Sequence, residues 1–189
     1  MADGILKVGQ IQTSSGSGTI TLGQSGETIT IPSGTTVSGA GANTPAFEAY
    51  LSSNQAVSDN TLTKVQFDTE VFDTDGAYDN STNYRYTPQT SGKYFFYTTV
   101  SGFGNASADL NVFSIRFYKN GSSYKYLYND NSGNPLYNAN YFSGTVIEMN
   151  GSTDYVEVYG LIDGISAGSE AFQSAEKQTL FGAYKLIGA

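Results

Sequence analysis

The chain has 189 residues, enough for one β domain of ordinary size with a short extension. Nine basic against seventeen acidic residues, a formal charge of −8, argue against a nucleic-acid partner, because phosphate binding is built from clustered Lys and Arg. With neither cysteine nor histidine, the chain has no disulfides, no thiolate or imidazole metal sites, and no Ser-His-Asp or Cys-His nucleophile.

The start, MADGILKVGQ, lacks a basic segment followed by a long apolar one, and no stretch reaches the twenty or so apolar residues of a membrane span. A soluble chain without a leader or membrane insertion is the expectation. Gly, Ser, Thr, Asn and Tyr are abundant and no window keeps a helical apolar period, so the fold class expected is all-β.

Along 11–31 the sequence repeats weakly as GQIQT, GTITL and ETITI, with Ile11, Ile20 and Ile29 at nine-residue spacing and Gly or Ser turns between. Such spacing suits a hairpin stack, a small β-solenoid or a fibre shaft wound from several chains. A Thr-rich arm that merely alternates reads the same way. The Gly/Ser-rich stretch 32–44 reads as a linker, so residues 1–44 form an extended β-rich N-terminal arm and 45–189 a head.

Strands are predicted in the head at 46–51, 63–67, 84–87, 93–100, 111–118, 141–149, 154–161 and 179–187. In 111–118 strict alternation sends Phe113, Ile115 and Phe117 to the core and Ser114 and Arg116 outward. Asn120-Gly121 marks a tight turn. The segment 122–141, SSYKYLYNDNSGNPLYNANY, reads as a long loop. Eight or so short strands without helices imply a sandwich or jelly roll.

Several segments resemble the C1q-like domain, the jelly roll of complement globular heads and, more distantly, of tumour necrosis factor ligands. Ala46-Phe47-Glu48-Ala49 is similar to its opening strand, and Val65-Gln66-Phe67-Asp68 to its Val-x-Phe-Asp segment. Tyr84-Arg85-Tyr86-Thr87-Pro88 and Ser91-Gly92-Lys93-Tyr94-Phe95-Phe96 are similar to its aromatic strand, proline and Gly-x-Tyr-x-Phe signature. Lys119-Asn120-Gly121 matches its turn and Phe181-Gly182-Ala183-Tyr184 its closing strand, although one residue is missing between Phe181 and Gly182. The usual Leu-x-x-Gly-Asp-x-Val is replaced by a longer turn across 149–156. The resemblance covers 45–187 and implies an antiparallel jelly-roll sandwich that assembles as a homotrimer.

The arm is similar to N-terminal arms of tail-fibre-like and structural proteins of marine and cyanobacterial bacteriophages, through Ile5-Leu6-Lys7-Val8, Ile11-Gln12, Ile20-Thr21-Leu22-Gly23 and Glu27-Thr28-Ile29-Thr30-Ile31-Pro32. This implies a virion protein assembled in a bacterial cytoplasm. Ile5, Leu6, Val8, Ile11, Ile20, Leu22, Ile29 and Ile31 are then the candidates for anchoring to other virion proteins, in tail or capsid. The expected role is a non-enzymatic fibre or receptor-binding tip that attaches to the host; a capsid head-fibre or decoration protein is the alternative, and a secreted glycan-binding module a lesser one.

Three sets of head residues carry candidate chemistry. In Tyr155-Val156-Glu157-Val158-Tyr159, alternation puts the valines on one face and Tyr155, Glu157 and Tyr159 on the other, either as the trimer contact or as a solvent face. Asp73, Asp75 and Asp79, in FDTEVFDTDGAYD, are either calcium ligands or a solvated acidic surface; the spacing is not that of an EF-hand, and calcium is the one cofactor considered. Tyr124, Tyr126, Tyr128, Asn129, Asn131, Tyr137 and Tyr141 give the amphipathic, adaptable composition of a binding surface for a host glycan or protein, or pack on the sandwich instead. Glu48, Glu148 and Glu157 show no spacing that sets two carboxylates across a cleft, so no catalytic residue is expected.

Overall fold

The computed structural model describes residues 44–187 except 105–107 and 167, together with residues 11, 26 and 28–30. The chain divides into two units, 1–40 and 41–189, the second of which contains the head. Of the anchoring candidates, Ile11 and Ile29 are exposed, whereas Ile5, Leu6, Val8, Ile20, Leu22 and Ile31 lie outside the described residues. No described helix is long and apolar enough to cross a membrane.

The head is an antiparallel jelly roll. Its strands are β1 (Ala46–Tyr50), β2 (Gln55–Ala56), β3 (Thr63–Lys64), β4 (Thr69–Asp73), β5 (Tyr78–Asp79), β6 (Arg85–Tyr86), β7 (Gly92–Phe103), β8 (Leu110–Lys119), β9 (Ser122–Asp130), β10 (Asn138–Met149), β11 (Val156–Gly164), β12 (Ala171–Phe172) and β13 (Leu180–Lys185). The first sheet has seven strands: β10 lies along one edge of β7, while β13 and β12 share the other, with β1 and β4 beyond β13 and β2 beyond β12. The second has six, in the order β5-β6-β11-β8-β9, with β3 also on β11.

The inner faces follow from strand alternation. Tyr94, Phe96 and Val100 of β7, Phe113, Ile115 and Phe117 of β8, Val156, Val158 and Ile162 of β11, and Phe181 and Ala183 of β13 are all buried between the sheets. Phe181 is the hub: its ring centroid lies 4.9 Å from Phe47, 5.5 Å from Phe67, and 6.1 to 6.2 Å from Tyr78, Phe96 and Phe117.

Two turns are set by backbone chemistry. Asn120 and Gly121 have φ of 52° and 76°, the paired positive values of a type I′ hairpin turn, whose twist matches its strands. Gly151 has φ of 73°, and a Cβ there would sit 2.2 Å from the Ser91 nitrogen. Gly151→Ala therefore combines left-handed strain with a backbone clash and is expected to cost roughly 2 kcal/mol or more, read as a lower denaturant midpoint with unchanged m.

The segment expected as a loop at 122–141 is largely strand. The I′ turn folds it straight back on β8, and Ser122–Asp130 pairs from Lys119↔Ser122 to Val112↔Asp130. Its Asn, Ser and Gly content reads as loop, yet Tyr126 and Tyr128 alternate with Leu127 as in a strand with one wet face; a register shift opposite Phe117/Tyr118 interrupts the alternation at Tyr124.

The same hairpin closes the sandwich at the outer edge of β10. Lys119 Nζ donates to the Glu148 carbonyl (2.7 Å), Lys125 Nζ to that of Gly144, and the Tyr124 hydroxyl to that of Val146 (3.3 Å). An edge strand otherwise presents a row of unsatisfied backbone groups; here side chains from the opposite sheet take up three of its carbonyls.

Candidate functional site

The outward face of the second sheet is a layer of tyrosines around one arginine. Tyr126 and Tyr128 stand half-exposed along β9, with centroids 5.7 Å apart, while a register shift opposite Phe117/Tyr118 takes Tyr124 out of that row and toward β10. Cross-strand register sets Arg116 between Tyr126 on β9 and Tyr159 on β11. Its guanidinium lies 4.2 Å from the Tyr126 ring centroid, a cation–π contact. Tyr118 and Tyr159 pack beside it with ring centroids 4.5 Å apart, tilted by 44°.

Other binding candidates fall elsewhere. Tyr141 points inward and packs on Phe113 at 5.4 Å, because alternation on β10 gives its odd positions to the core. Tyr137 meets Phe103 edge-on at 5.2 Å, against the first sheet. Asn129 alternates to the side of β9 opposite the tyrosines, and Asn131 follows the strand with its backbone N–H on the Asn111 carbonyl.

The face of Tyr155, Glu157 and Tyr159 is outward as alternation requires, but its polar groups are spoken for within the chain. Glu157 is 5% exposed; Lys64 Nζ reaches its carboxylate at 2.6 Å and the Tyr159 hydroxyl donates to it at 3.4 Å. The Arg85 guanidinium lies 4.4 Å from the Tyr155 ring centroid. Strand β3 pairs directly with β11 and brings Lys64 there, a long-range pairing that the local pattern does not contain.

The large apolar surface lies instead on the outside of the first sheet. Register builds three rows across it: Val146, Phe95 and Tyr184; Gly144, Tyr97, Gly182 and Glu48; Phe142, Thr99, Leu180 and Tyr50. Tyr97 lies over Gly182, where a Cβ would come within 2.4 Å of its ring, and a Cβ on Gly144 would come within 2.8 Å of the Phe95 ring. Its hydroxyl donates to Glu48 at 2.8 Å. At the margins Phe142 is 61% exposed, Phe72 44% and Val146 43%.

In the acidic loop the carboxylates accept hydrogen bonds from near neighbours. Asp73 accepts the N–H groups of Asp75 and Tyr78, and Asp79 those of Ser81 and Thr82 together with the Asn83 amide. The Thr82 N–H, backed by Asn83 and Ser81, holds the Asp79 carboxyl well below its usual range. Among the described residues no three acidic groups converge as metal ligands; Asp73, Asp75 and Asp79 spend their oxygens on turns.

Glu48 and Glu157 lie on the outer faces of opposite sheets. Glu148 lines a cleft of about 450 Å³ with Lys119 and Asp154. The Asn120 amide and Lys119 lower the Asp154 pKa, the reverse of what a general acid needs.

No protein-family model matches the chain, and no curated protein matches it. Solved structures do share its architecture. The globular domain of zebrafish complement 1qA superimposes with a TM-score of 0.52 at 14% identity, over 76% of this chain and 98% of that one. Murine APRIL gives 0.53 at 14%, over 75% and 98%. The Eiger TNF of S. frugiperda gives 0.54 at 13%, over 76% and 93%. The head is thus a jelly-roll sandwich of the C1q and TNF type, a likeness of fold.

Proposed function

We propose that this chain is a non-enzymatic, homotrimeric surface protein of a bacteriophage particle, of the fibre or receptor-binding tip type. Its arm docks on other virion proteins, and its head contacts a glycan or protein of the host surface. The observation that carries self-association is β7, which is apolar on both faces: Tyr94 and Phe96 fill the core, while Phe95 and Tyr97 lie outside it. A strand with both sides apolar has both sides covered, and a second copy of the same face is the cover that C1q-type and TNF-type heads suggest. The virion reading rests on the sequence of the arm; the attachment reading rests on the tyrosine face of the second sheet, which trimerisation through the first leaves free.

In light scattering the chain is expected at three times its 20.1 kDa mass. Phe142→Glu combined with Val146→Glu places charges on that face and is expected to give a folded monomer with an unchanged far-ultraviolet spectrum. A monomeric wild type at micromolar concentration would overturn the assembly. Copy number in purified particles separates the roles: about a dozen or fewer fits a fibre or tip, hundreds a capsid decoration protein.

A further inference from the structure

Beneath the tyrosines of the second sheet lies a polar floor with no partner among the described residues. Ser114 and Arg116 project outward from β8, Ser114 opposite Tyr128 and Leu161, Arg116 opposite Tyr126 and Tyr159. Ser114 is 1% exposed. Its Oγ and the Arg116 Nε are both buried without a hydrogen-bond partner among the described residues. A buried polar atom left so forfeits its hydration without replacement, and two such atoms two residues apart on one face call for an oxygen from outside the described residues.

The chemistry of that oxygen follows from its neighbours. Arg116 only donates, so the group it meets is an acceptor, and the Ser114 hydroxyl can donate to the same group. The guanidinium makes no ion pair among the described residues, where the two that form use Lys64 with Glu157 and Lys119 with Asp154. A planar fork of donors on a full charge matches a carboxylate. Asp130 and Asp163 flank Val112, one register step beyond Ser114; they repel an anion from that end and confine it to Arg116. The Tyr126 and Tyr128 hydroxyls bond to no described residue, so their half-exposed rings are free to turn and to offer an apolar face to the C–H side of a sugar ring.

We propose that this face binds an acidic saccharide, its carboxylate received by Arg116 and Ser114 and its ring laid on Tyr126 and Tyr128. The proposal rests on the attachment reading above and narrows its ligand to one class. The guanidinium now stacked on Tyr126 exchanges that ring for the ligand, so binding turns Tyr126 outward.

The test uses the full chain and two polymers, polygalacturonate and neutral dextran, in calorimetric titration at low and high salt. Polygalacturonate is expected to bind and to weaken with salt, and dextran not to bind. Arg116→Gln and Tyr128→Ala are each expected to lower affinity about tenfold or more with thermal midpoints near wild type. Arg85→Gln, a cation of the same sheet outside the Arg116 cluster, keeps wild-type affinity. Equal binding by Arg116→Gln and wild type, or binding to neither polymer, overturns the proposal. Dextran binding that Tyr128→Ala abolishes overturns the acidic class and leaves a saccharide face standing. The attachment reading has its own arm: Tyr128→Ala attaching to bacteria as fully as a wild-type chain that attaches would defeat it.

Discussion

Phe181→Ala is expected to cost about 3–5 kcal/mol of folding stability, the range for deleting a fully buried phenylalanine. Phe181 is inaccessible to solvent, and the rings of Phe47, Phe67, Tyr78, Phe96 and Phe117 close round it from both sheets. Those rings belong to separate strands and to the 67 segment, so none can swing into the vacancy without leaving its own contacts. Phe181→Leu keeps most of the volume and is expected to lose less than half as much. Denaturant titration of both variants checks this. A cost below about 1 kcal/mol for the alanine variant would mean that the sheets close over the gap.

Alkaline unfolding is the second large effect. Burial raises the pKa of Tyr78, Tyr86, Tyr94 and Tyr97, and Tyr94 is pushed up to about 12. Tyr97 is raised further by its bond to Glu48. A raised pKa means that the folded state holds the phenolic proton more tightly than the unfolded chain, whose tyrosines titrate near 10. The stabilisation is complete below pH 10 and is lost as pH rises through the folded-state values. All four groups lose this stabilisation over the same alkaline range. Thermal midpoints are therefore expected to hold from pH 7 to 9 and to collapse between about pH 10 and 12. Tyr97→Phe removes one of the four and is expected to move the collapse to higher pH; an unmoved transition would assign it to the other tyrosines.

Much of this fold was legible in the sequence because its main strands alternate. Phe113, Ile115 and Phe117 fall inward and Ser114 and Arg116 outward as their spacing requires, and Asn120-Gly121 turns where such a pair turns. Elsewhere local pattern and tertiary outcome part company. Tyr126 and Tyr128 alternate plainly, but in a segment whose Asn, Ser and Gly content mimics a loop. Glu157 has the outward direction of a subunit contact, and only the arrival of Lys64 on a strand remote in sequence buries it. The space that the Tyr97 ring fills is left by Gly182 on another strand, so no single window contains it. The signal for that face was nevertheless present: Tyr94-Phe95-Phe96-Tyr97 has no polar side, which half-buried strands do not allow. The acidic run from Asp73 to Asp79 carried charge enough for a cation, but turn N–H groups are nearer and take its oxygens first.

The three carbonyls capped by Lys119, Lys125 and Tyr124 bear on how such a chain behaves when crowded. A free β10 edge would template strand after strand from neighbouring copies, and head-to-tail addition of that kind has no natural stopping point. With three of those acceptors occupied, the β10 edge is a poorer template for such addition. The hairpin that carries Tyr126 and Tyr128 thus also guards the edge beside it.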